Sequence, residues 1–207
     1  GSLLGNLLYL YFAYRYPSLS DLSGNRRFGQ WAGFGFTQPT TLLFAIPALG
    51  LFADTVATAT RQRLRPRGII YTGIALVSVA VFAAVLQFPA TLRAGFTSAD
   101  FGQQLSDLLP FLMVHGLPLL GCFVAVALTA KGLVAKPKVI APLVFALFAS
   151  LTLLLAVAAN AVNHVVDAAL VGTTFEEGTW LAVVFAGVLT AMGAVAYWGP
   201  KWWGRTM

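Results

Sequence analysis

The stretch 36-FTQPTTLLFAIPALG-50 decides the fold. It opens a long apolar run, with Gln38-Pro39 at the start and Pro47 inside it. Proline lacks a backbone donor and tends to kink a helix, and in lipid the freed carbonyl needs a partner within the protein. The stretch therefore predicts a transmembrane helix packed on several sides, with the Gln38 amide in a bundle interior or a wet cavity. The simpler alternative is that Gln38 only hydrogen-bonds a neighbouring helix.

Composition places the chain among polytopic membrane proteins. Of its 207 residues, 58% are hydrophobic and 10% are charged, and the mean hydropathy is +0.80, far above the soluble norm. The net charge of +6 does not indicate nucleic-acid binding, because the basic residues lie in short loops between apolar runs. The single cysteine, Cys122, excludes an internal disulfide, and we expect it to be a small packing residue.

Six apolar runs predict an all-α bundle of about six transmembrane helices. They cover residues 3–14, 31–58, 69–88, 108–130, 139–161 and 179–198. The first run is too short to cross ~30 Å of hydrocarbon at ~1.5 Å per residue, so we interpret it as a truncated helix. No repeat or linker interrupts the pattern. The sequence predicts a single transmembrane domain over residues 1–207, as a fragment of a larger chain.

The loops between these runs alternate in charge, which predicts the orientation. Four arginines follow the second run and three lysines follow the fourth: Arg61, Arg63, Arg65, Arg67, Lys131, Lys136 and Lys138. By the positive-inside rule both loops are expected on the same face, the cytoplasmic one. The acidic residues other than Asp54 fall in the outer loops, and Asp54 is expected to pair with Arg61.

Two stretches have spacings that resemble a known family. Gln38-Pro39, Pro47 and Gly50 have the offsets of a helix that reads His-Pro-Glu-Val-Tyr, then Leu-Pro and Gly. The ending 197-YWGPKWWGR-205 is similar to Tyr-Trp-Phe-Pro-Lys-Trp-Thr-Gly-Arg. Both patterns belong to subunit I of the haem-copper oxidases, the cytochrome c oxidase family, where the first lies in helix six and the second closes helix ten. The resemblance covers the whole chain and implies that its six runs correspond to helices five to ten.

The resemblance implies a respiratory function. The family transfers electrons from cytochrome c through haems and copper to oxygen and couples this transfer to proton translocation. We therefore expect the subunit I-like membrane core of a terminal oxidase. The implied partners are the lipid bilayer, other oxidase subunits and cytochrome c, with no nucleic acid, and the implied location is a bacterial plasma membrane.

The residues at the family's ligand positions depart from its pattern. Gln38 stands where the family has a copper-ligating histidine, and Gly178 and Trp180 stand at the haem-ligand positions of helix ten. The paired copper histidines of helix seven would fall near Gln87 and Phe88. Because haem and copper ligation in this family needs imidazole, we expect this segment not to ligate either cofactor. The alternative function is a non-catalytic relative that serves as a membrane scaffold or assembly partner, and a transporter is a third possibility.

Other polar residues are weaker candidates for sites. His115 is a candidate metal ligand, although a neutral histidine bonded to a carbonyl freed by a nearby proline is the simpler interpretation. His164 and Asp167 resemble an outer His-Asp pair that lies near the haem propionates in the family, and are candidates for cofactor binding. Glu176 and Glu177 suit a helix N-terminus, with a cation or proton-loading site as the alternative.

A relative without metal ligands must fill the space that porphyrin and copper occupy between helices six, seven and ten. A void of that size is too costly to stay empty, because each methyl-sized apolar hole costs about 1 kcal/mol. We expect Gln38 to bond a neighbouring helix and five large side chains to turn inward: Phe36, Leu42, Phe88, Trp180 and Phe185.

Overall fold

The computed structural model describes residues 44–79, 100–135, 137–163 and 173–204, together with Tyr11 and Val165. Over these residues the chain is helical and contains no strand, as the all-α prediction required. A π-helical segment, Leu112–Gly116, joins the third helix to the fourth, and a 3-10 turn, Gly132–Ala135, follows the fourth. The helices are α1 (Phe44–Thr60), α2 (Arg67–Val77), α3 (Phe101–Phe111), α4 (Leu117–Lys131), α5 (Ala141–Asn163) and α6 (Thr174–Trp203).

Among the described residues, three helical stretches are long and apolar enough to cross a membrane, and they indicate a membrane-embedded protein. They are Leu112–Ala135, Ala141–Asn163 and Thr174–Trp203. Helices α1 and α2 are apolar but shorter over their described lengths. The predicted first span lies outside the described residues except for Tyr11, which is helical. A bundle of six spans therefore stays a prediction.

Three predicted helix ends are wrong by about a turn or more. Helix α3 begins at Phe101, so part of the predicted outer loop before residue 108 is helical. Helix α6 runs from Thr174 to Trp203 instead of 179 to 198. Apolarity marks only the lipid-embedded part of a helix, whereas the backbone hydrogen bonds continue into the polar interface until a stop signal. For α6 that signal is Gly204, whose φ of 62° is a left-handed conformation that glycine adopts without strain.

The fourth predicted span contains prolines at 110 and 118, yet the helix continues past both. Between them the backbone widens into the π-helical segment, where the Leu117 N–H bonds to the Leu112 carbonyl, five residues earlier. A single π turn of this kind shifts the hydrogen-bond register by one residue, which accommodates a missing proline donor. The segment also changes which side chains face the bundle, and it carries His115.

Helix α1 lies at the centre of the described helices, so the prediction that it is packed on several sides is confirmed. Leu49, Phe52 and Val56 have almost no exposed surface, and they belong to a core cluster that draws on α2, α4, α5 and α6. The Ser150 hydroxyl of α5 donates to the Ala48 carbonyl over 3.5 Å. This contact is one of the points where a neighbouring helix meets the middle of α1.

Glycine allows the closest helix approach in the bundle, between α2 and α4. A Cβ added at Gly121 would overlap the Gly73 carbonyl oxygen and lie 2.8 Å from the Leu76 Cβ. A Cβ added at Gly73 would lie 2.9 Å from the Gly121 carbonyl oxygen. Small residues at such crossings stabilise membrane helix pairs, because they bring the two backbones into van der Waals contact. This glycine pair holds α2 against the bundle.

Two loops meet at one end of the bundle, called the basic end below. The Leu64 side chain lies 3.0 Å from where a Gly132 Cβ would be, so the loop after α1 contacts the turn after α4. The Lys138 N–H donates to the Ala59 carbonyl over 3.1 Å and ties the start of α5 to the end of α1. The prediction that the arginine and lysine loops share a face is therefore confirmed for the described residues.

Candidate functional site

The residues at the family's haem-ligand positions lie in the first turns of α6. Gly178 is exposed, and a Cβ added there would have no atom within 4 Å. Trp180 is half-buried and lines an open cavity of about 520 Å³ with Glu176 and Glu177. The two glutamates lie in the first turn of α6, where the positive end of the helix dipole favours them.

This region does not fit the ligation of haem iron. Glycine has no side chain, and the indole N–H of Trp180 is a donor that offers no lone pair to a metal. Among the described residues, no group of three or more histidine, cysteine, aspartate or glutamate side chains is placed to hold a metal ion. Gly178 and Trp180 therefore offer iron no imidazole ligand of the family's kind.

The prediction that Phe185 turns inward is wrong, since its side chain is 57% exposed. The buried stripe of α6 passes through Val183, Ala186 and Thr190, and Phe185 lies on the opposite side of the helix. Small residues on that stripe let the helices approach, so the bulky side chains are left on the lipid-facing surface. The prediction that Trp180 turns inward is only partly confirmed, because its side chain is half-buried.

His115 lies inside the bundle, in the π-helical segment. It is 2% exposed, and its ring centroid is 5.2 Å from that of Phe111 in a tilted arrangement. An aromatic neighbour one turn earlier suits a neutral imidazole, which packs as a flat, mostly apolar ring. Both interpretations of His115, the neutral histidine bonded to a carbonyl and the metal ligand, stay predictions.

Helices α1 and α6 contact each other at the basic end. Thr58, near the end of α1, and Tyr197, in α6, share a hydrogen bond of 2.8 Å between their hydroxyls. The Lys201 ammonium lies 4.0 Å from the centre of the Tyr197 ring, and Trp198 packs edge-on to Tyr197 at 5.6 Å. Sequence spacing alone gave no reason to expect this direct contact.

A polar cavity of about 340 Å³ opens beside α1 at the same end. Asp54 and Arg61 both line it, as does Arg67, so the structure brings the predicted partners Asp54 and Arg61 to one cavity. The Arg67 guanidinium donates two hydrogen bonds to the Tyr71 hydroxyl, at 3.1 and 3.2 Å. This hydrogen bonding raises the pKa of Arg67, which therefore stays charged at physiological pH.

A second opening, the basic groove, was not expected from the sequence. It has a volume of about 720 Å³ and lies between the loop after α1 and the end of α4. Arg63, Arg65 and Lys131 contribute its charge, Gln62 an amide, and Val134 an apolar wall. The sequence interpretation used these cations only for orientation. The signal that could have revealed the groove is the expected meeting of the two basic loops on one face.

Comparisons with known protein families, with curated proteins and with solved structures find no match to this chain. Any functional assignment of this chain therefore rests on its own residues. Several of those that the sequence singled out lie outside the described residues: Phe36, Gln38, Leu42, Gln87, Phe88, Lys136, His164 and Asp167.

Proposed function

We propose that this chain is a segment of the subunit I-like membrane core of a respiratory haem-copper oxidase, and that it contributes a helical scaffold in place of metal ligands. Electron transfer from cytochrome c, oxygen reduction and proton translocation would then belong to the assembled oxidase. The proposed location is a bacterial plasma membrane, with the loop of residues 61–67 in the cytoplasm. The observation that carries the proposal is the direct packing of α1 on α6.

The packing of α1 on α6 is close at two successive levels. Near one end of the described contact, the Phe44 ring lies 3.0 Å from the position of an added Gly187 Cβ. Further along, a Leu51 methyl group lies 3.0 Å from the position of an added Gly193 Cβ. By the resemblance, α1 and α6 correspond to helices six and ten, which in the family flank the porphyrin and copper. Van der Waals contact at these levels supports a scaffold, because side chains occupy the space between the helices.

The residue types at the ligand positions support the same proposal. Gly178 and Trp180 replace two haem-ligating histidines, and Gln38 replaces a copper-ligating one. An amide, an indole and a bare backbone do not substitute for imidazole at iron or copper. The Lys201 and Tyr197 contacts at the end of α6 need no cofactor and suit a structural role at the membrane interface.

The first test is spectroscopic and uses the full chain purified in detergent. We expect no Soret band above that of a control preparation from the same host without the chain. A Soret band that survives purification and disappears in His115→Ala would overturn the proposal, because it would assign haem binding to this chain.

The second test measures assembly. A tagged chain isolated from its native membranes in mild detergent is expected to bring with it haem-containing subunits and cytochrome c oxidation activity. A chain that is well expressed but elutes without either would contradict the oxidase context. The two tests are separate, since the first concerns ligation by this segment and the second its partners.

A further inference from the structure

The basic groove is used neither by the helix packing nor by the proposed oxidase role. Its walls come from two loops about seventy residues apart in the chain: Arg63 and Arg65 from one, Lys131 and Val134 from the other. The Leu64 side chain against Gly132 and the Lys138–Ala59 hydrogen bond hold the two loops together. The groove is thus formed by the tertiary fold and fixed by packing.

The groove is suited to an anion by its charge. Three cations line it, and none of the residues lining it is acidic. The guanidinium groups of Arg63 and Arg65 offer paired N–H donors whose geometry matches phosphate oxygens, while Lys131 adds a point charge. Its volume of about 720 Å³ lies in the range of about 300–1,000 Å³ that is typical of small-molecule sites. A phosphate group with its substituents therefore has room and matching donors.

The groove lies at the position along the helices where lipid headgroups are expected. It lies at the end of the candidate span Leu112–Ala135, and its apolar wall residue Val134 is 82% exposed. Trp202 and Trp203 are exposed. They lie at the same end of the bundle, because they follow Tyr197 in α6, and Tyr197 bonds to Thr58 near the end of α1. Exposed tryptophans beside a lysine mark the membrane interface.

We propose that the basic groove binds the phosphodiester headgroup of an anionic phospholipid, with an acyl chain along the apolar surface beside Val134. Basic pockets between transmembrane helices are known to hold anionic headgroups. The exposed apolar wall distinguishes this ligand from free phosphate, because inorganic phosphate gains nothing from Val134. The proposal requires a membrane-embedded chain but does not rest on the oxidase assignment.

The test uses the full chain in nanodiscs with spin-labelled phosphatidylglycerol or phosphatidylcholine, and measures the immobilised fraction of each by electron paramagnetic resonance. We expect phosphatidylglycerol to be preferred. The triple variant Arg63→Gln, Arg65→Gln, Lys131→Gln should lose at least about tenfold of that preference, since each cation near the surface strengthens anionic lipid binding about fivefold. The variant Arg63→Lys, Arg65→Lys keeps the charge and should keep most of the preference.

A matched control removes the same number of charges outside the groove, with Arg61→Gln, Lys138→Gln and Lys201→Gln. It should retain more of the preference for phosphatidylglycerol than the groove variant does, because its three cations do not line the groove. Equal binding of the two lipids by the native chain would overturn the proposal, as would an equal loss in the control variant. Displacement of phosphatidylglycerol by excess inorganic phosphate, with no displacement by chloride at equal ionic strength, would also overturn it by pointing to a free-phosphate site.

Discussion

At the scale of single residues, side-chain size decides which surfaces of these helices meet. Gly121 and Gly73 stand where two backbones touch, whereas Phe185, only two positions from the buried Val183, faces outward. Since both lipid and the bundle interior are apolar, hydrophobicity does not drive these helices together, and close packing between small residues contributes more. Inside a helix, a glycine is therefore important for packing where another helix occupies the space beside it.

Two glycine-to-alanine changes test this distinction. Gly121→Ala is expected to destabilise the chain by about 1–3 kcal/mol, because the added methyl group overlaps the Gly73 carbonyl oxygen and the Leu76 side chain. Gly178→Ala, also within a helix but with open space around it, should be neutral or stabilise by up to about 1 kcal/mol through helix propensity. Thermal unfolding of both variants in the same detergent measures the difference. Equal stability of the two would contradict the described α2–α4 crossing.

At the scale of elements, the contact between α1 and α6 joins helices whose hydrogen-bonded residues are 139 positions apart in the chain. It combines apolar packing along the helices with one hydrogen bond between side chains, from Thr58 to Tyr197. The π-helical segment Leu112–Gly116 is a second feature of this scale, since it lets one helix pass two prolines. Both features depend on how a whole helix is placed and not on any one residue type.

Tyr197→Phe tests the α1–α6 hydrogen bond. It removes the hydroxyl but keeps the ring that packs on Lys201 and Trp198, so we expect a loss of about 0.5–1.5 kcal/mol in unfolding free energy. In a double-mutant cycle, Thr58→Val should cost little more once Tyr197→Phe is present. Tyr71→Phe is the control, because its hydroxyl accepts from Arg67 within the same helix. Additive effects of the Thr58 and Tyr197 changes would rule out the contact.

At the scale of the whole molecule, the basic end gathers the arginine loop, Lys131, Lys138 and Lys201 around the ends of four helices. Helix α6 has 30 residues and is therefore about 45 Å long, so its first turn lies on the other side of a bilayer that it crosses. The distribution of charge predicts that the basic end is cytoplasmic.

Single cysteines report the orientation directly. Cys122 has no exposed surface, so it contributes little background to labelling with a membrane-impermeant maleimide. We expect Phe175→Cys to react in intact cells, and Gln62→Cys and Val134→Cys to react only after the membrane is opened. If Gln62→Cys and Val134→Cys reacted from opposite sides of the membrane, the prediction that the two basic loops share a face would be refuted. Reaction of both in intact cells would reverse the proposed orientation.

Sequence patterns predicted the elements better than their contacts. The proline-containing run of α1 predicted a helix packed on several sides, and the charges predicted two loops on one face; both are confirmed. The start of α3 and both ends of α6 were misplaced, because apolarity ends at the interface while the helix continues. At the candidate site, the sequence alone showed that Gly178 and Trp180 carry no imidazole. The prediction that Phe185 packs inward was wrong.

The sequence by itself determined that the described chain is helical and membrane-embedded, because long apolar runs have few other ways to satisfy their backbone in lipid. It also determined that Gln38, Gly178 and Trp180, and not histidines, stand at the positions that the resemblance singled out. Only the tertiary structure decided which face of each helix is buried, since a helix that is apolar on all sides carries no signal for its rotation. It alone brought Gly73 to Gly121, Thr58 to Tyr197, and Arg63 and Arg65 to Lys131, because each pair joins residues that are far apart in the chain.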